Sequence, residues 1–255
     1  MAERVDVVVV GGGPAGSVAA RAAVEAGAQV LLVEARPNIG LPVQCAEYVP
    51  ARLMDHVAIP PRCIAQRISA LHTHLPDGQM VESPASGFVL DRACFDKALA
   101  VAARCAGTAG AGARLWAGAR VVARTSGGVL IRHGGQKTEV LARVIIGADG
   151  PRSTVGKWIG ASNTSYIDAL QVEAVLPAPL AATQVYFHPL YRGGYGWCFP
   201  KGETANIGVG VSRALGGEPR QALAHLLAAL GVGEADLVGH TAGPVPAGGP
   251  VAPLA

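Results

Sequence analysis

The sequence predicts an α/β protein (α+β overall), in which a parallel sheet with helices precedes a region of antiparallel strands. Three observations support this fold class. The β-branched run at residues 5–10 leads into a glycine-rich turn and an alanine-rich segment, the pattern of a strand, a turn and a helix. Residues 119–146 form short apolar runs between glycine pairs, and beyond Gly160 apolar runs alternate with proline and glycine. Both patterns are typical of antiparallel strands.

Composition excludes several classes of protein. With 15% charged and 50% hydrophobic residues, the 255-residue chain can bury a core and is not disordered. Its net charge is only +3, and Lys and Arg form no long run, so we expect no nucleic-acid partner. The apolar run at residues 5–10 is far shorter than the ~20 residues of a membrane helix. We therefore expect a cytoplasmic protein with at most peripheral membrane contact.

Five widely spaced cysteines without a CxxC pair predict reduced thiols. This pattern argues against a disulfide framework and against a zinc site. We therefore expect no metal, and we expect most of these cysteines to pack as small apolar side chains.

The amino-terminal elements form a βαβ unit. The helix after the glycine-rich turn extends to Ala26, and Gly27 suits the position that follows a helix C-terminus. A second apolar strand spans residues 29–34 and ends in an acidic residue. A unit of this size predicts parallel pairing of its two strands.

The middle of the chain combines a loop, a hairpin, a helix and a meander. Residues 37–61 are rich in proline and glycine and predict a functional or flexible loop. A proline-aspartate-glycine turn separates predicted strands at 68–74 and 79–82. Asp91 is a plausible N-cap for the helix that follows. A three-stranded antiparallel meander is predicted at residues 119–124, 129–133 and 138–146.

The carboxyl-terminal part predicts an antiparallel sheet and one helix. The helix is expected at residues 219–230, and no element is expected at 239–255. The strands are expected at residues 170–176, 183–188, 197–199 and 205–211. We therefore predict a first domain at residues 1–67 and 84–160 and a second at 68–83 and 161–255.

The first motif is a GxGxxG sequence at Gly11, Gly13 and Gly16, with Glu34 eighteen residues beyond it. In this Rossmann-like context the glycines permit a tight turn, close approach of a pyrophosphate and close packing of helix and strand. The helix N-terminus then faces the phosphates, and Glu34 accepts hydrogen bonds from ribose hydroxyls. An acid at this position favours FAD or NAD over NADP. The alternative is a glycine-rich turn without a ligand.

The second motif is Asp149-Gly150, at the end of an apolar strand. A carboxylate at such a strand end can hold a ribityl or ribose hydroxyl, and its pairing with GxGxxG favours this interpretation. The alternative is an ordinary Asp-Gly turn.

These motifs resemble a known group of flavoproteins. GGGPAGSVAARAAVEAG, Glu34, Asp91-Arg92 and GADGPRSTVGKWIG resemble the p-hydroxybenzoate-hydroxylase-type FAD superfamily. PVQCAE at residues 42–47 and YGWCFP at residues 195–200 resemble the geranylgeranyl reductase family. The resemblance extends from residue 4 to about residue 250, and it implies an FAD-binding domain followed by a substrate domain with an antiparallel sheet.

The resemblance also implies roles for individual residues. Cys45 is expected near the isoalloxazine ring, as a candidate catalytic residue. The residues expected to bind FAD are Gly11, Gly13, Pro14, Ala15, Gly16, Glu34, Ala35, Arg36, Cys45, Arg92, Val122, Asp149 and Gly150. The residues expected to line an apolar substrate channel are Tyr195, Trp197, Phe199 and Pro200.

Each role has a structural alternative. Cys45 could simply fill apolar space, and Arg92 could be a surface ion-pair partner. Tyr195, Trp197 and Phe199 alternate with the period of a strand, which sheet packing explains equally well.

The implied function is reduction of isolated C=C bonds in a prenyl chain by hydride transfer from reduced FAD. The substrate would be a prenyl lipid or a prenylated small molecule, and the electron donor NAD(P)H or a reduced carrier. The family's second FAD segment, of GDAAG type, is not in the sequence. We therefore expect a chain truncated at the C-terminus that retains FAD weakly or not at all. The alternatives are a flavin monooxygenase acting on an aromatic substrate and a non-enzymatic fragment.

Overall fold

The structure is a computed structural model, and it describes residues 3–107 and 112–252. Most of these residues belong to strands or helices. The strands are β1 (Glu3–Val10), β2 (Val30–Glu34), β3 (Tyr48–Pro50), β4 (Ile64–His74), β5 (Met80–Leu90), β6 (Arg114–Ala117), β7 (Arg120–Arg124), β8 (Gly128–His133), β9 (Gln136–Gly147), β10 (Tyr166–Val175), β11 (Thr183–Tyr186), β12 (Tyr195–Lys201), β13 (Thr204–Val211) and β14 (Leu237–Pro246). The α-helices are α1 (Pro14–Glu25), α2 (Arg92–Cys105), α3 (Thr154–Trp158) and α4 (Pro219–Ala229).

The chain forms two compact units, whose boundaries differ from the predicted ones. The first unit comprises Met1–Leu41, Ala93–Asn163 and Gly249–Ala255, and the second comprises Pro42–Arg92 and Thr164–Gly248. Residues 42–67 and 84–92 therefore belong to the second unit, although the sequence assigned them to the first. The reason is that β3 and β4 both pair with β5, which places all three in the second unit's sheet.

The first unit contains a six-stranded sheet in the order β6-β2-β1-β9-β8-β7. The parallel pairing of β1 with β2 and the antiparallel β7-β8-β9 meander confirm the predictions for these elements. The sequence did not predict β6, a four-residue strand that is too short to show a periodic pattern. Helix α1 packs on the sheet with Ala20 and Val24 in its core, and Gly27 follows the helix in a left-handed conformation, as expected.

The second unit contains an eight-stranded sheet in the order β14-β10-β13-β12-β11-β4-β5-β3. Its pairs are antiparallel except that of β11 with β4. Strands β4 and β5 are longer than the predicted hairpin strands. The prediction that residues 239–255 lack an element was wrong, because β14 pairs with β10 along most of its length. Its glycines and prolines are compatible with a strand at the edge of a sheet.

The two faces of this sheet have different partners. The helix face, which includes Cys198, Ile207 and Val209, packs against Ala222 and Leu226 of α4. Side chains alternate between the two faces along a strand. The residues directly before and after these in β12 and β13 therefore point to the opposite side of the sheet. That opposite side, here called the loop face, includes Trp197 and Asn206. Of the helices in residues 3–107 and 112–252, none is long and apolar enough to cross a membrane.

A stacked histidine pair in the second unit predicts a loss of stability in mildly acidic solution. The rings of His188 and His225 lie 4.1 Å apart, and burial together with His225 lowers the pKa of His188 from 6.5. Between this lowered pKa and about pH 6.5, His188 binds a proton in the unfolded state but not in the folded state. The free energy of unfolding should therefore fall as the pH drops from about 6.5 through the lowered pKa.

Urea unfolding from neutral pH to about pH 5 measures this loss. The His188→Asn variant, which keeps an acceptor for the Leu190 N–H, should show a shallower decline than the unmodified chain. Equal declines in the two proteins would contradict the assignment to His188.

Candidate functional site

Two glycines of the GxGxxG motif allow close contact between backbone segments. Gly11 follows β1 with a φ of 104°, and a Cβ there would lie 2.2 Å from the carbonyl oxygen of Ala148. A Cβ on Gly16 would lie 1.8 Å from the carbonyl oxygen of Gly11. The first and third glycines therefore join the ends of β1, α1 and β9, as the motif predicts.

The middle glycine faces open space at the N-terminus of a helix. Gly13 is the N-cap of α1, and nothing lies within 4 Å of a Cβ built on it. Pro14 occupies the first turn, and the amides of Ala15 and Gly16 have no acceptor within the helix because of their position. This open cradle with amide donors and a positive dipole end fits the pyrophosphate of a dinucleotide.

Glu34 lies at the end of β2 next to this cradle. Its carboxylate accepts hydrogen bonds from the N–H of Gly12 at 2.7 Å and from the N–H of Arg36 at 2.8 Å. Ala35 lies between Glu34 and Arg36, and Ala119 donates its N–H to the Glu34 carbonyl. A carboxylate has about four acceptor positions, so Glu34 keeps capacity for ribose hydroxyls.

Asp149 has a structural role that the sequence analysis missed. Its carboxylate accepts hydrogen bonds from the Ser153 hydroxyl and from the N–H of Thr154, the latter at 2.6 Å. Ser153 in turn accepts the N–H of Gly156 as the N-cap of α3. Asp149 thus holds the N-terminus of α3, while Gly150 follows it with a φ of 81°. Its predicted contact with the cofactor stays a prediction.

This geometry predicts the effect of removing the Asp149 carboxylate. The Asp149→Ala variant leaves the first amides of α3 without their acceptor, which should lower the free energy of unfolding by about 1–2 kcal/mol. The Ser153→Ala variant removes the neighbouring cap and should cost about the same. Denaturant unfolding measures both. An Asp149→Ala variant with unchanged stability would show that the contacts with α3 are dispensable.

Two further predicted cofactor residues belong to other elements of the fold. Val122 is half-buried in β7, an edge strand of the first unit's sheet, next to a bulge between Val121 and Ala123. Arg92 is the first residue of α2 and is grouped with the second unit. Their roles toward FAD stay predictions.

The PVQCAE segment, here called the Cys45 loop (residues 42–47), lies on the loop face of the second sheet. Thr241 of β14 donates its hydroxyl to the Val43 carbonyl at 2.8 Å, and Gln171 of β10 donates its side-chain amide to the Cys45 carbonyl at 3.1 Å. Lys201 of β12 and Asn206 of β13 bind Glu47 at the end of the loop. Four strands therefore fix one short loop.

Glu47 is the anchor of this loop, and the sequence analysis did not identify it. The residue is 2% exposed and is the one non-glycine residue with positive φ, 72°, in the described part of the chain. Its carboxylate accepts the Arg92 N–H at 2.8 Å, Lys201 Nζ at 2.6 Å and the Asn206 side-chain amide at 2.8 Å. A glutamate alone in sequence carries no signal of burial, so only the fold reveals this network.

Trp197 is buried on the loop face. Its Nε1 donates a hydrogen bond to the side chain of Gln171 at 2.9 Å. The indole therefore lies across β13, where a Cβ on Gly208 would be 2.3 Å from its ring. Because Gly208 has no side chain, the indole ring has room to lie there. Gly208 was not among the predicted site residues.

The other predicted substrate residues divide between the two faces. Tyr195 is 45% exposed and contacts Trp197 in a T-shaped pair, with ring centroids 6.1 Å apart. Phe199 makes an edge contact with Tyr48 at 5.9 Å. Pro200 pairs with Ala205 on the helix face, so it does not share a face with the three aromatic residues. Its role as a lining residue has no support from this geometry.

The described residues contain no group of three or more His, Cys, Asp or Glu side chains that could hold a metal ion. The cysteines in this part of the chain are all free. Burial raises the pKa of the Cys198 thiol to about 12, in keeping with its place in the core.

The chain is similar to known proteins in both sequence and fold. A family model described as an NAD(P)-binding Rossmann-like domain matches residues 9–75. Among solved structures, a geranylgeranyl bacteriochlorophyll reductase-like protein from Thermoplasma acidophilum superposes with a TM-score of 0.87 and 29% identity. The match covers 100% of this chain and 69% of that chain. Aklavinone-11 hydroxylase, at 20% identity and a TM-score of 0.69, shares the fold over 96% of this chain and 54% of its own.

Curated relatives cover nearly the whole sequence. The chain is 40% identical to digeranylgeranylglycerophospholipid reductase 2 of Methanopyrus kandleri, over 96% of this chain and 66% of the relative. It is 38% identical to digeranylgeranylglycerophospholipid reductase of Methanothrix thermoacetophila, over 97% of this chain and 67% of the relative. The chain therefore spans about two thirds of the length of the curated relatives it matches.

Proposed function

Since the chain belongs to the digeranylgeranylglycerophospholipid reductase family, we propose that it binds FAD and takes part in the reduction of isolated C=C bonds in the prenyl chains of a lipid. The observation that carries the proposal is the 38% identity to such a reductase over 97% of the chain. The resemblance of PVQCAE and YGWCFP to geranylgeranyl reductases favours the same function.

The glycine turn of the first unit fits FAD. The open space at Gly13 and the first amides of α1 would receive the pyrophosphate. Glu34 would accept hydrogen bonds from the ribose of the adenosine, and its charge would repel a 2′-phosphate. Bound FAD would supply hydride from its reduced ring system.

The second unit supplies the groups that would orient the substrate. Trp197, Tyr195 and Phe199 lie on the loop face, and an aromatic lining of this kind would suit an apolar chain. Cys45 lies half-buried on the same face, within a loop fixed by hydrogen bonds. An unactivated alkene develops no oxyanion, so positioning in an apolar environment must provide most of the protein's contribution.

The finer parts of the proposal concern the electron donor and the location. We assign the donor to NAD(P)H or a reduced electron carrier. A lipid substrate requires contact with a membrane surface, so we place the protein in the cytoplasm with peripheral membrane contact. Oxidation of NAD(P)H by the flavin-loaded chain under anaerobic conditions would test the donor.

The two alternatives have less support. The hydroxylase among the structural neighbours is 20% identical, a level that supports a common fold only. The relatives at 38–40% identity are reductases by name. A reductase therefore explains the sequence better than a monooxygenase or a non-enzymatic fragment.

The test has two stages. The purified chain is incubated with FAD, desalted and examined by absorbance. The chain is then reduced anaerobically and mixed with a glycerophospholipid that carries geranylgeranyl chains, and mass spectrometry counts the hydrogens added to the lipid. Addition of hydrogen supports the proposal. Oxygen incorporation into an aromatic compound would favour the monooxygenase, and flavin binding without any turnover would favour the non-enzymatic fragment.

A further inference from the structure

The Cys45 loop ends in a residue with an unusual combination of features. Glu47 has a left-handed backbone, which is uncommon for residues other than glycine, and its carboxylate is almost fully buried. A buried carboxylate is stable only when it is paired and hydrogen-bonded. Glu47 meets this requirement through a cation, a backbone amide and a side-chain amide.

The backbone of Glu47 faces the thiol. Its N–H donates a hydrogen bond to Cys45 Sγ at 3.2 Å. The Glu47 side chain is held at its carboxylate and its backbone carbonyl accepts the Leu90 N–H at 3.0 Å, so the direction of its own N–H is fixed from both sides. The position of the sulfur atom therefore depends on the carboxylate at the other end of Glu47.

The partners of the carboxylate hold the preceding residues as well. Asn206 donates its side-chain amide both to Glu47 and to the Ala46 carbonyl, the latter at 3.3 Å. Lys201 is 18% exposed at its side chain, and its Nζ lies 4.0 Å from Glu173 in addition to its contact with Glu47. Removal of the Glu47 charge would leave Lys201 with only this distant and more exposed partner.

We propose that Glu47 is a positioning residue, which acts through Lys201 and Asn206 to fix the Cys45 thiol on the loop face. Glu47 does not contact the substrate in this role. The proposal rests on the proposed function only for the use that the protein makes of the thiol. The positioning itself is a property of the chain without FAD.

The experiment measures how fast each thiol reacts with iodoacetamide in the folded, flavin-free chain, with peptide mass spectrometry to resolve the sites. Cys63 and Cys198 are 0% exposed, so they react only when the chain unfolds. Cys105 is exposed and serves as the reference for intrinsic reactivity. The variants are Glu47→Gln, Asn206→Ala and Lys201→Arg, with Glu173→Gln as the matched control.

Lys201 and Asn206 both donate to one oxygen of Glu47, and the Arg92 N–H donates to the other. In Glu47→Gln one of these oxygens becomes an NH2 group that cannot accept a hydrogen bond, and the charge that pairs with Lys201 is lost, so the loop should open more often. We expect the labelling rate of Cys45 to rise about fivefold or more relative to Cys105 while Cys63 and Cys198 stay protected. Asn206→Ala should raise the rate in the same direction. Lys201→Arg keeps the charge and should stay within about twofold of the unmodified chain. Glu173→Gln should do the same, because Lys201 keeps its closer contact with Glu47 at 2.6 Å and loses only the longer one at 4.0 Å.

Two results would overturn the proposal. One is an unchanged Cys45 rate in both Glu47→Gln and Asn206→Ala. The other is parallel labelling of Cys45, Cys63 and Cys198, which would show that Glu47 supports the fold as a whole rather than the thiol. If the chain fails to reduce prenyl chains but Cys45 responds as expected, the positioning role holds and the proposed reaction is what fails.

Discussion

A Gly13→Ala variant should fold as the unmodified chain does and bind FAD on the order of tenfold more weakly or worse, a loss of about 1.4 kcal/mol or more. The φ of −72° at Gly13 suits alanine, and nothing lies within 4 Å of the new methyl group. The free energy of unfolding should therefore change by less than about 1 kcal/mol, chiefly because alanine is a poor N-cap. The methyl group would instead occupy the space where the pyrophosphate approaches the helix.

Titration of FAD against the purified chain, followed by flavin fluorescence, measures this loss. Gly239→Ala is the matched control, since its Cβ would make only an ordinary contact at 3.6 Å with Glu173. Gly16→Ala should instead lower stability by about 1–3 kcal/mol, because its Cβ would overlap the Gly11 carbonyl. Equal FAD affinity in Gly13→Ala and the unmodified chain would show that the pyrophosphate does not approach α1.

Loss of one partner from the ion pair between Glu47 and Lys201 should have the largest effect on stability. We expect Glu47→Leu to lower the free energy of unfolding by about 3–5 kcal/mol, because it leaves a largely buried ammonium group without its partner. Lys201→Met should have a similar effect, because it removes the cation that faces a carboxylate only 2% exposed. In the double variant two apolar side chains face each other.

A double-mutant cycle with denaturant unfolding tests this coupling. The double variant should be more stable than the sum of the single losses predicts, by about 2 kcal/mol. The control is the pair of Arg21 and Glu25, which is 46% and 50% exposed and should couple by less than about 1 kcal/mol. Additive effects at Glu47 and Lys201 would show that the two side chains are not coupled and would contradict this prediction.

Local signals explain what could be predicted from the sequence. The glycine turn was predictable because its tight turn, helix start and strand end lie within a few residues and follow directly from the lack of a Cβ. The meander was predictable because glycine pairs separate its apolar runs. Strand β14 was not, since its prolines and glycines lower its strand propensity and only pairing with β10 stabilises it.

The network around Glu47 shows why part of the site was not predictable. PVQCAE contains the residue, but its partners Lys201 and Asn206 lie 154 and 159 positions away. No local pattern indicates that these side chains meet. Asp149 is the opposite case, because the Ser153-Thr154 pair that follows it is an N-cap signal that was available in the sequence.

The hydrogen bonds that join the Cys45 loop to β14 also bear on the order in which parts of the chain can fold. The hydrogen bonds from Thr241 to Val43 and from Gln44 to Ala242 each join residues 198 positions apart. Contacts this distant in sequence are slow to form, because the intervening chain must first be organised. During synthesis, residues 42–47 are made before β14, so their hydrogen bonds with Thr241 and Ala242 cannot form until β14 has followed. We therefore expect the Cys45 loop to be completed later than the β7-β8-β9 meander, whose strands are neighbours in sequence.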